Sequence, residues 1–177
     1  MNPPRAPGRR AGLLATLAAD FTWRQLALAL MAGVAAAASS SGAATLPFTA
    51  KFAGAAVVRV DESVAYITAN GSGRGTLLGT SKISGKGTGN AAAQPCVPFT
   101  GTGTMVGTLK TKLLFKVVPG STGCGDEAGQ VFSINARATV VRGYGKLVNV
   151  RGKLKITGVY DRGKGTFSVK FAGTLTK

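Results

Sequence analysis

KLKITGVYDRGKGTFSVKFAGTL, residues 153–175, alternates apolar and polar residues on either side of a short turn rich in glycine and charge. Alternation at period two is what a β-strand needs when one face is buried and the other meets water. Leu154, Ile156 and Tyr160 share one face of the first run, and Phe167, Val169, Phe171 and Leu175 one face of the second. DRGKG supplies the turn, so the stretch predicts an antiparallel hairpin.

The same pattern extends upstream. In TLKTKLLFKV (108–117), Leu109, Leu113, Phe115 and Val117 fall on one face, with Lys110, Lys112 and Lys116 on the other. In VFSINARATVV (131–141), Phe132, Ile134, Ala136, Ala138 and Val140 oppose Ser133, Asn135, Arg137 and Thr139. KFAGAAVVRV, SVAYITANG and RGTLLGTSKISGKGTG add shorter, glycine-punctuated runs, and nothing after residue 44 carries a capped helical stripe. Strands with one apolar face must close on themselves or pair into layers, because an open sheet leaves edges exposed. The prediction is an all-β fold, a small antiparallel up-and-down β-barrel, with a β-sandwich as the alternative. Glycines inside strands, such as Gly158 and Gly173, mark places where the wall bends or a bulky neighbour needs room.

The first forty or so residues have a different composition. Arg5, Arg9, Arg10 and Arg24 precede the apolar run LALALMAGVAAAA (26–38), and small residues SSSGAAT follow. Basic, apolar and small regions in that order predict a signal peptide over 1–44, a single barrel domain over 45–177, and a secreted protein. Cleavage after Ala38 or Ala44 satisfies the small-x-small rule; the later cut is favoured because the strand pattern begins at Leu46. The apolar run is shorter than the roughly 20 residues of a membrane span. An uncleaved anchor or an Ala-rich buried helix is the competing reading. Arg9-Arg10 fits a twin-arginine signal poorly, since the apolar core lies far downstream, and the long leader also allows a misassigned start codon.

Export brings the chain to a compartment where thiols oxidise. Cys96 and Cys124 are the only cysteines, and AAAQPCVPF and GSTGCGDEAG around them read as turn-rich. The expectation is a disulfide tying two loops together, which in the chain-entropy picture stabilises by about 3–4 kcal/mol. Zinc is disfavoured because the chain has no histidine and two sulfurs do not complete a tetrahedral site.

Beyond residue 44 the chain carries 18 Lys and Arg against five carboxylates, Asp61, Glu62, Asp126, Glu127 and Asp161. Without histidine there is no imidazole base for Ser-His or Cys-His catalysis. Adjacent acids on a strand point to opposite faces, so neither Asp61-Glu62 nor Asp126-Glu127 makes an acid/base couple. The expectation is a protein that is not an enzyme, with no catalytic residue, metal site or cofactor.

RGYGKLVNVRG (142–152) admits two readings. Its backbone amides with Arg142, Lys146 and Arg151 form an anion loop, or Gly143 and Gly145 turn the chain at positive φ while Gly152 relieves crowding. The dinucleotide fingerprint fails, because Val148 stands where its third glycine belongs and a strand follows. The corner reading is preferred.

VVRGYGKLVNVRGKLKITGVYDRGKGTFSVKFAGTL (140–175) resembles the C-terminal part of the allene oxide cyclase-like and dirigent-like β-barrels, in which a Gly-x-Gly-Lys/Arg-aromatic corner precedes a final hairpin. It is also similar to small secreted proteins of Gram-positive, GC-rich bacteria that carry such a corner. Leu147 stands where the family places an aromatic residue. The resemblance implies an up-and-down barrel whose interior holds an apolar ligand, and it carries over no catalytic residue.

Four functional expectations follow. A carrier of a small apolar ligand would line its cavity with Phe115, Phe132, Phe167 and Phe171. A basic module would bind an anionic cell-surface polymer or lipid through Lys110, Lys112, Lys116, Lys153 and Lys155, provided their strands are neighbours. A dirigent- or cyclase-like barrel and a purely structural module complete the set. Nucleic acid is disfavoured as a partner, because the outward strand positions lack the interleaved aromatics of stacking platforms.

Overall fold

The computed structural model describes residues 43–108 and 110–177. The expected signal peptide lies outside the described residues except for Ala43 and Ala44, and so does Leu109. Eight strands run in chain order: β1 (Thr45–Asp61), β2 (Val64–Gly75), β3 (Gly79–Asn90), β4 (Cys96–Val106), β5 (Lys112–Gly125), β6 (Val131–Tyr144), β7 (Arg151–Asp161) and β8 (Thr166–Thr176). Each pairs antiparallel with the next, and β8 returns to β1 over Thr45↔Thr176 to Ala55↔Thr166, which closes an up-and-down barrel. The fold is all-β, and closure rather than a sandwich removes the sheet edges.

The hairpin that opened the sequence reading is β7–β8, paired from Arg151↔Thr176 to Asp161↔Thr166. Its turn is held by Asp161, whose Oδ1 accepts from the Lys164 backbone N–H at 2.9 Å while Oδ2 pairs with Lys164 Nζ at 2.8 Å. These bonds to Lys164 hold the Asp161 carboxyl below the usual carboxylate range and raise the Lys164 ammonium above its usual range.

Two readings of the middle of the chain need correction. TGTGTMV was not read as a strand, yet it forms most of β4, because Gly101 and Gly103 occupy the inward positions where alternation would show apolar side chains. The Phe115 ring lies over Gly103, so a Cβ at that position would overlap the ring. The cysteines do not join two loops. Cys96 begins β4 and Cys124 lies near the end of β5; they are directly opposed and disulfide-bonded, so the bond staples neighbouring strands. VVPGS, also within β5, makes a bulge at which pairing with β6 slips between Val117 and Thr122. Gly120 takes φ 82° there, and the buried Ser121 Oγ donates to the Val118 carbonyl at 2.7 Å and accepts from the Arg137 N–H at 3.1 Å.

One end of the barrel is closed. The β2–β3 turn brings in Leu78, and the RGYGKLVNVRG corner brings in Leu147 and Val150, all nearly inaccessible to solvent. They pack with Phe48, Met105, Leu113, Val140 and Leu175 into a floor. The corner reading therefore holds. Gly145 has φ 65° at the start of the short 3-10 turn Gly145–Leu147. Gly143 does not share that positive φ; it is buried with the Leu147 carbonyl against its Cα, where no side chain fits.

Candidate ligand cavity and basic outer wall

Above the floor the interior opens toward the mouth, which is rimmed by the β1–β2, β3–β4, β5–β6 and β7–β8 connections. Phe52, Phe115 and Phe171 form a middle layer, with Phe171 edge-on to Phe52 at 5.9 Å and to Phe115 at 5.4 Å between ring centroids. Beyond them Phe99, Phe132, Ile134 and Tyr160 are only partly buried. The result is a cavity of about 250 Å³ whose lining is almost wholly apolar. A dry apolar cavity of roughly 150 Å³ takes up a benzene-sized guest, so this one has room for a somewhat larger molecule.

All four phenylalanines singled out from the sequence, Phe115, Phe132, Phe167 and Phe171, line this one cavity. Val97 and Phe99 also line it and were missed, because β4 itself was not read as a strand. So does Gly123, whose absent side chain leaves open space: nothing lies within 4 Å of a Cβ built there. Among the described residues the one buried side-chain polar atom without a hydrogen-bond partner is Ser81 Oγ on β3.

The five lysines expected to form one stripe are not one group. Lys110 sits in the β4–β5 connection at φ 59°, off the strand. Lys112 lies near the closed end, opposite Tyr144, with its Nζ 5.2 Å from the ring centroid and Arg142 5.0 Å from the same ring. Lys116 lies on β5, and Lys153 and Lys155 on β7; those strands are not neighbours, because β6 intervenes. Thr139 bridges the gap, paired with Lys116 on one side and Lys153 on the other.

The acids are segregated. Asp61, Glu62, Asp126, Glu127 and Asp161 all lie at the mouth, at strand ends or in the connections between them. Asp126 fastens the β5–β6 turn by accepting from the Gln130 N–H at 2.8 Å. Among the described residues no three His, Cys, Asp or Glu side chains gather where they could hold one metal ion.

Every Lys and Arg of the strands is outward among Thr, Ser and Asn, with single valines such as Val57 and Val159 between them, while the inward positions are mostly apolar or glycine, Ser81 excepted. That is the reverse of a transmembrane barrel, which is apolar outside and polar within. The cross-strand disulfide fits an extracellular protein. Comparison with family models, with curated proteins and with solved structures returned no match for this chain.

Proposed function

We propose that the protein is a secreted, non-catalytic carrier that holds a small apolar molecule inside its barrel. The observation that carries this reading is the cavity itself, floored by tightly packed side chains, open at one end, and lined by Phe115, Phe132, Phe167 and Phe171. Apolar pockets with an open mouth and a preformed wall are the usual form of small-molecule sites. A signal peptide over residues 1–44 and the disulfide both favour export. The likeness to dirigent and cyclase barrels adds the expectation of an apolar guest; among the described residues no Asp or Glu lines the cavity, whose titratable side chains are Lys86, Tyr160 and Arg162.

The test is to fill the space. Gly123→Leu places a side chain where nothing obstructs it, so the variant should fold with undiminished stability and lose uptake of a polarity-sensitive apolar dye at least tenfold. Wild-type uptake should be indifferent to salt. Equal dye uptake by Gly123→Leu and wild type, or no uptake by either, would end the carrier reading.

A further inference from the structure

Like charges directly opposed across neighbouring strands destabilise a sheet, yet the outer wall contains three such pairs. Arg137 on β6 faces Lys155 on β7, and Lys51 on β1 faces both Arg74 on β2 and Lys170 on β8. Among the described residues the one ion pair is Lys164 with Asp161, at the mouth. Arg137, Lys153, Lys155 and Lys170 therefore lie on a wall with no Asp or Glu among the described residues to balance them.

The wall is also concave. The β5 bulge at Val118, Pro119 and Gly120 stands along one side of a groove of about 1150 Å³ that crosses β6, β7 and β8. Ala172 and Gly173 are small residues in its lining, and Arg137, Lys153 and Lys155 reach it with the hydroxyl-bearing Thr139, Thr174 and Thr176. The guanidinium of Arg137 lies over Gly120, where a side chain would collide with it. Cations, hydroxyl donors and a channel shape together match an anion that is long rather than flat.

We propose that this groove binds a linear polyanion of phosphate-linked units, as found in anionic cell-wall polymers, at a site separate from the apolar cavity. A flat bilayer surface does not reach into a groove, whereas a single extended chain lies along it. A flexible chain can instead follow the groove from Arg137 past Lys155 toward Lys170. With every described Asp and Glu at the mouth, binding through this wall leaves the mouth of the cavity unobstructed.

The experiment measures binding of the full chain to immobilised inorganic polyphosphate across a salt series. Wild type should bind with affinity that falls as salt rises. Arg137→Glu with Lys155→Glu should weaken binding at least tenfold. Lys82→Glu with Lys110→Glu, the same charge change on β3 and in the β4–β5 connection, should stay within about threefold. Circular dichroism and the urea-unfolding midpoint serve as the check on folding, and Lys155→Gln with Lys170→Gln replaces the first variant if it does not fold. Equal loss in the two charge-reversed variants would show diffuse attraction and overturn the groove. Tighter binding to single-stranded oligonucleotide or to anionic vesicles than to polyphosphate would overturn the polymer assignment in favour of those partners.

Discussion

Ser81 shows how a single polar atom weighs against an otherwise apolar interior. Its hydroxyl is buried without a partner among the described residues, and such a group forfeits hydrogen bonds that water would have supplied. Ser81→Ala should therefore stabilise the fold by about 1 kcal/mol, read as a higher midpoint in urea unfolding; a lower midpoint would show that the hydroxyl has a partner. Asp161 is the opposite case, a polar residue fully used. Its folded pKa is lowered chiefly by the hydrogen bond from the Lys164 side chain, so its contribution is complete above the ordinary carboxylate pKa and is lost as pH falls through the lower folded value. An NMR titration of Asp161 should show that depressed midpoint, and Lys164→Ala should return it toward the ordinary value. At the residue scale the sequence was most legible where side chains were large. Phe115, Phe132, Phe167 and Phe171 fall at period two with other apolar residues, and that placed them inside.

At the scale of elements, legibility depended on what filled the inward positions. β6, β7 and β8 alternate bulky apolar with polar residues and were read with the correct faces. β4 alternates threonine with glycine, so hydropathy shows no inner face, although Gly103 is inward because Phe115 from β5 covers it. The second half of β5 was hidden for a related reason: GSTGCGDEAG (120–129) read as turn-rich, and in the sheet its first residues continue the strand past a bulge. With β4 and the second half of β5 read as turn-rich, the cysteines looked like loop residues. Their bond joins adjacent strands at the mouth, close to the longer of the two breaks in the pairing of β5 with β6, between Val117 and Thr122. Replacing both by serine should cost about 2–4 kcal/mol, measured by urea unfolding, with dye uptake weakened because the β3–β4 and β5–β6 rims are no longer fastened. No change in stability would show that the sheet hydrogen bonds alone hold that edge. The basic stripe was misplaced because strand order around a closed barrel is not written in any one strand; only the register shows Arg137 against Lys155 and Lys51 between Arg74 and Lys170.

At the scale of the whole molecule, closure produces three distinct surfaces from one repeating pattern. Inward side chains make a floor and a cavity, outward ones a basic wall, and the connections at one end gather all the described acids around the mouth. The central claim is that the inner surface carries an apolar guest, and the native mass spectrum of the protein secreted by its own host, taken without refolding, tests it most directly. A carrier should appear as a chain cut near Ala44, lighter by the two hydrogens of one disulfide, with a small apolar molecule bound that Gly123→Leu fails to retain. The same chain with an empty barrel in both proteins would contradict it.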